Sequence, residues 1–338
     1  MKANVRTILK MRSVTSLLFV LVLFLLVGLV NPDFLKPSNL LLTINSSVVF
    51  TLLSVGIAFP IITGEIDVSV GAVMGLSAAV SATMIRDGQP WVLAVVASIL
   101  IGIACGYFNG FGLMYLGIPS IIITLGTNGI VRGLIYVYTD GKWVENLPFE
   151  YKCLSQATTL GISNFYLVAI LIAIVGTLII RKSKAGKYYY AVGDNISGSV
   201  LIGIPVKKTK ISAFVLSSVF ASLAGLVYVS RIGFVTPTAG MGYEMKAIAA
   251  CVLGGVSLSG GVGTLIGASL GAIIMSSVGR ILVFLKFSSD YDGTITGILL
   301  ISIVVVDALI QKYNAEKTRR IRLLAKTSEG GASNEKSY

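Results

Sequence analysis

The sequence predicts an all-α polytopic membrane protein of about ten transmembrane helices, with an internal inverted repeat and some short or broken spans. Three observations carry this expectation. The 338 residues are 55% hydrophobic and 12% charged, where a soluble domain carries roughly 25% charged residues; mean hydropathy is +0.88. The apolar residues fall into runs close to the roughly 20 residues that cross a hydrocarbon layer. The 27 basic residues outnumber 15 acidic ones and gather mainly in three places along the chain.

Residues 14–30 follow Lys2, Arg6, Lys10 and Arg12, and so have the charge and apolar core of a signal peptide. Asn31-Pro32-Asp33-Phe34 stands where a small-residue cleavage site belongs, so this segment is read as a retained first span. Segments 47–63 and 68–85 are separated only by Gly64-Glu65-Ile66-Asp67. Segments 91–109 and 118–138 follow, then a polar loop, 139–163, and a sixth span, 164–180. Segments 211–229, 245–258, 262–285 and 294–310 complete the set. The 245–258 segment is too short for a full span unless it is tilted, broken or re-entrant.

Cytoplasmic loops are enriched in Lys and Arg. With the N-terminus inside, six spans return the chain inside for a basic break at 181–210, which holds Arg181, Lys182, Lys184, Lys187, Lys207, Lys208 and Lys210. The remaining spans return it for a tail holding Lys312, Lys317, Arg319, Arg320, Arg322, Lys326 and Lys336. The outer loop 139–163 balances Asp140, Glu145 and Glu150 against Lys142 and Lys152. The positive charge therefore reads as topology, and nucleic-acid binding is set aside. The organisation expected is one permease-like membrane domain, 1–311, with a basic then polar cytoplasmic tail, 312–338.

Several chemistries are excluded. There is no histidine, so neither a His-based metal site nor a His general base exists. Cys105, Cys153 and Cys251 are scattered without metal-ligand spacing. Gly141-Lys142 and Gly186-Lys187 lack both the spacing and the hydroxyl of a phosphate-binding P-loop. No catalytic set, metal site or cofactor site is expected. If ATP drives this protein, a partner hydrolyses it.

The repeat is legible in two places. Gly64-Glu65-Ile66-Asp67 and the following Val68 to Leu76 resemble Tyr243-Glu244-Met245-Lys246 and the following Ala247 to Gly255. The next span in each half carries a glycine ladder: Gly102, Gly106 and Gly110, then Gly263, Gly267 and Gly271. Glycine at every fourth residue lines one helix face and admits another backbone. The matched elements lie five spans apart, and an odd offset inverts the second copy across the membrane. Inverted repeats built around broken helices are a transporter architecture.

Charged groups inside a bilayer are costly. Arg132, Arg280 and Asp307 lie near predicted span ends, where long side chains snorkel. Glu65, Asp67 and Glu244 precede short interrupted spans in both halves; they either cap helix N-termini or line and gate a route, together with Ser69. Thr124, Thr127 and Asn128 offer hydrogen bonds to a hydroxylated solute or to neighbouring helices. Within the basic break, Asp194 or Asn195 caps a short helix, Gly203 ends it and Pro205 prevents its continuation. A capped helix there implies a docking element for a cytoplasmic partner.

At these residues the chain resembles the permease subunits of bacterial ABC importers for sugars, the ribose/xylose/galactose-type inner-membrane family. The resemblance runs from about residue 15 to 311. It rests on Ile66-Asp67-Val68-Ser69-Val70-Gly71, on Gly193-Asp194-Asn195 with Gly203-Ile204, and on Thr238 to Gly263. Gly141 to Pro148 and Glu244 to Cys251 resemble the autoinducer-2 import branch most, with rhamnose and pentose permeases as competitors. The resemblance implies an ATPase with two nucleotide-binding domains, a second and non-identical permease chain, a periplasmic solute-binding protein, and both termini in the cytoplasm. It maps a coupling helix onto Asp194 to Ile202, where the family has alanines and this chain has Gly198 and Ser199. An ion-coupled transporter using Glu65, Asp67 and Glu244, a membrane scaffold or receptor, and a branched-chain amino-acid permease are the rival readings.

Overall fold

A computed structural model describes residues 12–288, 290–302, 304–305, 308–309 and 312. The basic N-terminal residues Lys2, Arg6 and Lys10, Asp307, which the sequence places near a span end, and the tail 313–338 lie outside the described residues.

The described residues are mostly helical. α1 (Arg12–Val30) leads through a 3-10 turn at Pro32–Leu35 to α2 (Pro37–Ser46), α3 (Val48–Ile62), α4 (Val70–Arg86), α5 (Trp91–Tyr115) and α6 (Ser120–Thr139). The polar loop 139–163 folds into α7 (Phe149–Gln156) and a hairpin of β1 (Thr158–Thr159) and β2 (Ile162–Ser163). Then come α8 (Asn164–Lys182), α9 (Lys184–Asp194), α10 (Ile196–Leu201), α11 (Val206–Ile232), α12 (Tyr243–Leu253) and α13 (Leu265–Phe284). Helical backbone resumes over residues 291–302.

Among the described residues, five helices are long and apolar enough to cross a bilayer: α5, α6, α8, α11 and α13. A sixth span results if α2 and α3, bent by 43° at Ser47, count as one. The bend is pinned from outside the helix. Asn45 accepts from the Ser163 N–H at 2.8 Å and donates to Gly161 O at 3.0 Å, while Arg231 donates to its carbonyl. α4 has 17 residues and α12 only 11, so these two are the short elements expected after each chain break.

The burial pattern is that of a molecule solvated by hydrocarbon. On α5 the buried face holds Ser98, Gly102, Gly106, Asn109 and Gly110, while Trp91, Leu100 and Tyr107 are exposed. α6 buries Ser120, Thr124 and Thr127 and exposes Ile122, Ile130 and Val137. Small and polar residues face in and large apolar ones face out, the arrangement expected when lipid is the solvent.

α3 and α11 form the centre, and their contacts are reciprocal. α11 packs on α3, α4 and α5; α3 packs on α11, α12 and α13. The glycine ladders serve different interfaces. Added Cβ atoms at Gly106 and Gly110 meet α11 backbone, at 2.5 Å from Phe214 O and 2.8 Å from Ile211 Cα, and Gly102 lies equally tight on Val219. Gly267 and Gly271 instead press on Gly254 and Ala250 around α12. Gly263 precedes α13 in the chain, which corrects the second ladder to two helical glycines.

The 181–210 break, read from sequence as one polar stretch, is largely helical. Lys207, Lys208 and Lys210 belong to the first turns of α11, and Lys210 is buried. Because α5 and α11 touch backbone to backbone, a side chain at Gly106 must push them apart. Gly106→Val is expected to cost about 1–3 kcal/mol or more, read as a lowered melting temperature of the detergent-solubilised protein.

Candidate functional site

Two junctions hold the polar residues singled out by sequence. The first is built on the chain break between α3 and α4. Asp67 is fully buried there. Its Oδ1 accepts from the Ser69 backbone N–H at 3.0 Å and from Ser69 Oγ at 2.6 Å. Its Oδ2 accepts from Ser217 Oγ on α11 at 2.8 Å. The chain of bonds continues outward: Asn109 Nδ2 donates to Ser69 Oγ at 2.9 Å, and Thr127 Oγ1 donates to Asn109 Oδ1 at 2.6 Å. One network therefore ties the break to α5, α6 and α11. Asn109 and Ser217 were missed by the sequence reading, since a lone polar residue in an apolar run does not reveal its partner.

Glu65 lies two residues earlier and forms a largely buried ion pair with Lys210 of α11. Thr124 is buried, with its hydroxyl donating to Ser120 O at 2.8 Å. At the other end of the break, α4 begins against the lead-in to α12. An added Cβ at Gly71 would sit 2.5 Å from Gly240 O, and one at Gly75 would sit 2.5 Å from Ala239 O. Glu244, in the first turn of α12, also reaches Gly71. Its Oε1 accepts from the Gly242 N–H at 3.3 Å, while Oε2 is buried without a hydrogen-bond partner among the described residues. Two interrupted helices thus meet at their N-terminal ends, where a carboxylate is favoured.

Arg132 does not snorkel. It is half-buried on α6 and its Nη1 donates to Ala239 O at 2.5 Å. Asn128, one turn earlier, has a buried Oδ1 with no partner among the described residues.

The second junction is the root of α10. Asn195, not Asp194, is the cap: its Oδ1 accepts from the Gly198 N–H at 2.8 Å, and Asp194 ends α9. Gly203 takes φ of 77°, closing the turn before Ile204 and Pro205. Gly198 and Ser199 are helical, with Ser199 buried and Gly198 beneath the cap. The helix spans Ile196–Leu201, shorter than the 194–202 expected. Beside it, Leu201 and Ile202 are 87% and 75% exposed.

Just before the cap, Gly193 is wedged between the two chain breaks. An added Cβ there would collide with Ile62 O and sit 2.5 Å from Gly261 N. The Gly261 N–H itself donates to Ile62 O at 2.9 Å. Tyr190 OH donates to Gly263 O at 2.9 Å. Burial pushes the Tyr190 phenol up, an effect partly offset by Arg181. α7, in the 139–163 loop, is seated on α11 through the Tyr151 OH, which donates to Leu226 O at 2.9 Å, and burial likewise pushes the Tyr151 phenol up.

Broken helices meeting head to head, with a capped helix rooted in both breaks, define a membrane permease. Residues 39–304 match the family model described as branched-chain amino acid transport system / permease component, and the chain belongs to this family. Among curated proteins it is similar to the autoinducer 2 import system permease protein LsrC of Escherichia coli O157:H7, 40% identical over 89% of this chain and 88% of that protein. The proteins of the same name from Enterobacter sp. (strain 638) and Salmonella typhi are 37% and 38% identical, over 94% and 91% of this chain and 92% and 89% of theirs. No solved structure matches the chain. The protein is a multi-pass membrane permease, a transport component rather than a catalyst.

Removing one donor from a buried carboxylate leaves the charge partly unpaired, at about 1–3 kcal/mol. Ser217→Ala is therefore expected to lower the melting temperature. Combining it with Asn109→Ala should be non-additive in a double-mutant cycle, because both donors serve one network.

Proposed function

We propose that this chain is one permease subunit of an ATP-driven ABC importer that moves autoinducer-2 across the bacterial inner membrane. The observation that carries this reading is the match to the autoinducer 2 import permeases, which runs over nearly the full length of both chains. Rhamnose or a pentose is the alternative solute within the same architecture.

In this reading the chain makes ten passes, with both termini and the 181–210 region in the cytoplasm and 139–163 in the periplasm. α4, α12 and the helix from residue 291 supply the passes that are short or partly described. The reciprocal contacts of α3 and α11 support an inverted repeat, α3 to α6 against α11 onward. The route and gate are assigned to Glu65, Asp67, Ser69, Thr124, Asn128 and Glu244. Asp67 and Ser69 hold the break rigid, and Glu65 clips it to Lys210. A periplasmic binding protein delivers solute to the outer loops, and the solute passes between this chain and a second, non-identical permease.

The motor is a partner ATPase with two nucleotide-binding domains, docked on α10 through Leu201 and Ile202. Gly193 passes its motion to Ile62 and Gly261, and hence to both broken helices. An ion-coupled mechanism finds little support, because Glu65 is neutralised by Lys210 and Asp67 is filled by Ser69 and Ser217.

Deleting residues 194–202 is expected to abolish autoinducer-2 uptake while the chain still inserts in the membrane, as measured by fractionation and labelled-solute uptake. Uptake at the wild-type rate by the deletion would contradict the coupling assignment.

A further inference from the structure

Of eight buried side-chain polar atoms without a hydrogen-bond partner among the described residues, those of Glu244, Arg132 and Asn128 lie on α6 and the start of α12. Glu244 is 8% exposed, and its Oε2 has no hydrogen-bond partner among the described residues. Arg132 Nη2 and Asn128 Oδ1 are likewise buried and unpartnered. They share one locality. Arg132 is anchored on Ala239, the residue before Gly240, and Gly240 and Glu244 both close on Gly71. The Arg132 and Glu244 charges are near enough to attract one another, yet they form no ion pair.

Asn128 lies one turn before Arg132 on α6. α6 runs beside the break, with Ser120 Oγ accepting from the Ile66 N–H at 3.4 Å and Ile135 packed against Gly75. Asn128 lies midway between Ser120 and Ile135 in sequence, and Gly71 lies midway between Ile66 and Gly75.

Leaving a buried polar atom unmatched costs about 1–3 kcal/mol. Three at one place are explained if a ligand satisfies them. The chemistry is specific: two acceptor oxygens, Glu244 Oε2 and Asn128 Oδ1, beside one donor, Arg132 Nη2. A hydroxyl both donates and accepts, so adjacent hydroxyls complement this set. Carboxylate and guanidinium together carry no net charge, which suits a neutral solute better than an anion or a cation.

We infer that Glu244, Asn128 and Arg132 form a transit subsite for a small neutral polyhydroxylated solute, its hydroxyls donating to Glu244 and Asn128 and accepting from Arg132. This deepens the importer reading and rests on it. Arg132, which the sequence placed as a snorkelling residue, becomes a solute contact. Glu65 and Asp67 become structural holders of the break rather than ligands.

The test uses the assembled importer in membrane vesicles. In a background with Cys105, Cys153 and Cys251 replaced by alanine, Asn128→Cys and Ile130→Cys are each exposed to a charged methanethiosulfonate reagent. Ile130 lies on the exposed face of α6, at 58% exposure. The subsite predicts modification at position 128 at least about tenfold faster than at 130, because the thiolate that reacts needs a polar environment. Equal, slow modification of both would overturn it. In parallel, Glu244→Gln should lower autoinducer-2 uptake per ATP hydrolysed by about tenfold. An unchanged ratio would overturn the solute contact. If the wild-type assembly hydrolyses ATP but takes up no autoinducer-2, the solute named above fails, and the thiol comparison still decides the subsite.

Discussion

The approach of Gly193 to Ile62 and Gly261 is the constraint on which the rest depends. Three stretches of backbone, far apart in sequence, come together where no side chain fits between them. A Cβ at Gly193 is incompatible with the Gly261 N–H to Ile62 O bond. Packed interiors transmit displacement because they have no slack. A helix rooted at this point cannot move without carrying the turn after α3 and the turn before α13.

From that root, contacts run inward along two paths. Through Ile62 it reaches Gly64 to Ser69, which Lys210, Ser217 and Asn109 hold to α11 and α5. Through Gly261 it reaches the end of α12, whose other end meets α4 at Gly71 and Gly240. The two paths converge where the interrupted helices face each other. Fully paired polar atoms make the first path stiff. The unpartnered atoms of Glu244, Arg132 and Asn128 lie near that convergence.

Much of this was legible in the sequence. Hydropathy located most of the apolar helices, because a bilayer demands long apolar runs, but it missed α2 and stopped short of the ends of α5 and α11. A cap at Asp194 or Asn195, the Gly203 stop and the two interrupted helices were readable from local chemistry alone; the choice of Asn195 was not. What failed was partner identity. Lys210 sits in a basic cluster and reads as a topology charge, yet it folds back on Glu65. Asn109 and Ser217 look like incidental polar residues until the fold brings Asp67 between them. Gly263 keeps the four-residue spacing of a ladder but lies ahead of the helix. Arg132 reads as a span-end arginine because the sequence cannot show the Ala239 carbonyl beside it. Periodicity reports the environment of a face, whereas partnership between distant residues arises only on folding.

The account stands on α10, Gly193 and the 259–263 turn moving as one body. Pulsed electron paramagnetic resonance between spin labels at Val200→Cys and Leu258→Cys, in the assembled importer with and without ATP, measures this directly. An unchanged distance across the nucleotide cycle is the predicted result. A distance that shifts by several ångströms on ATP binding would mean that α10 slides past its root, and the transmission described here would be wrong.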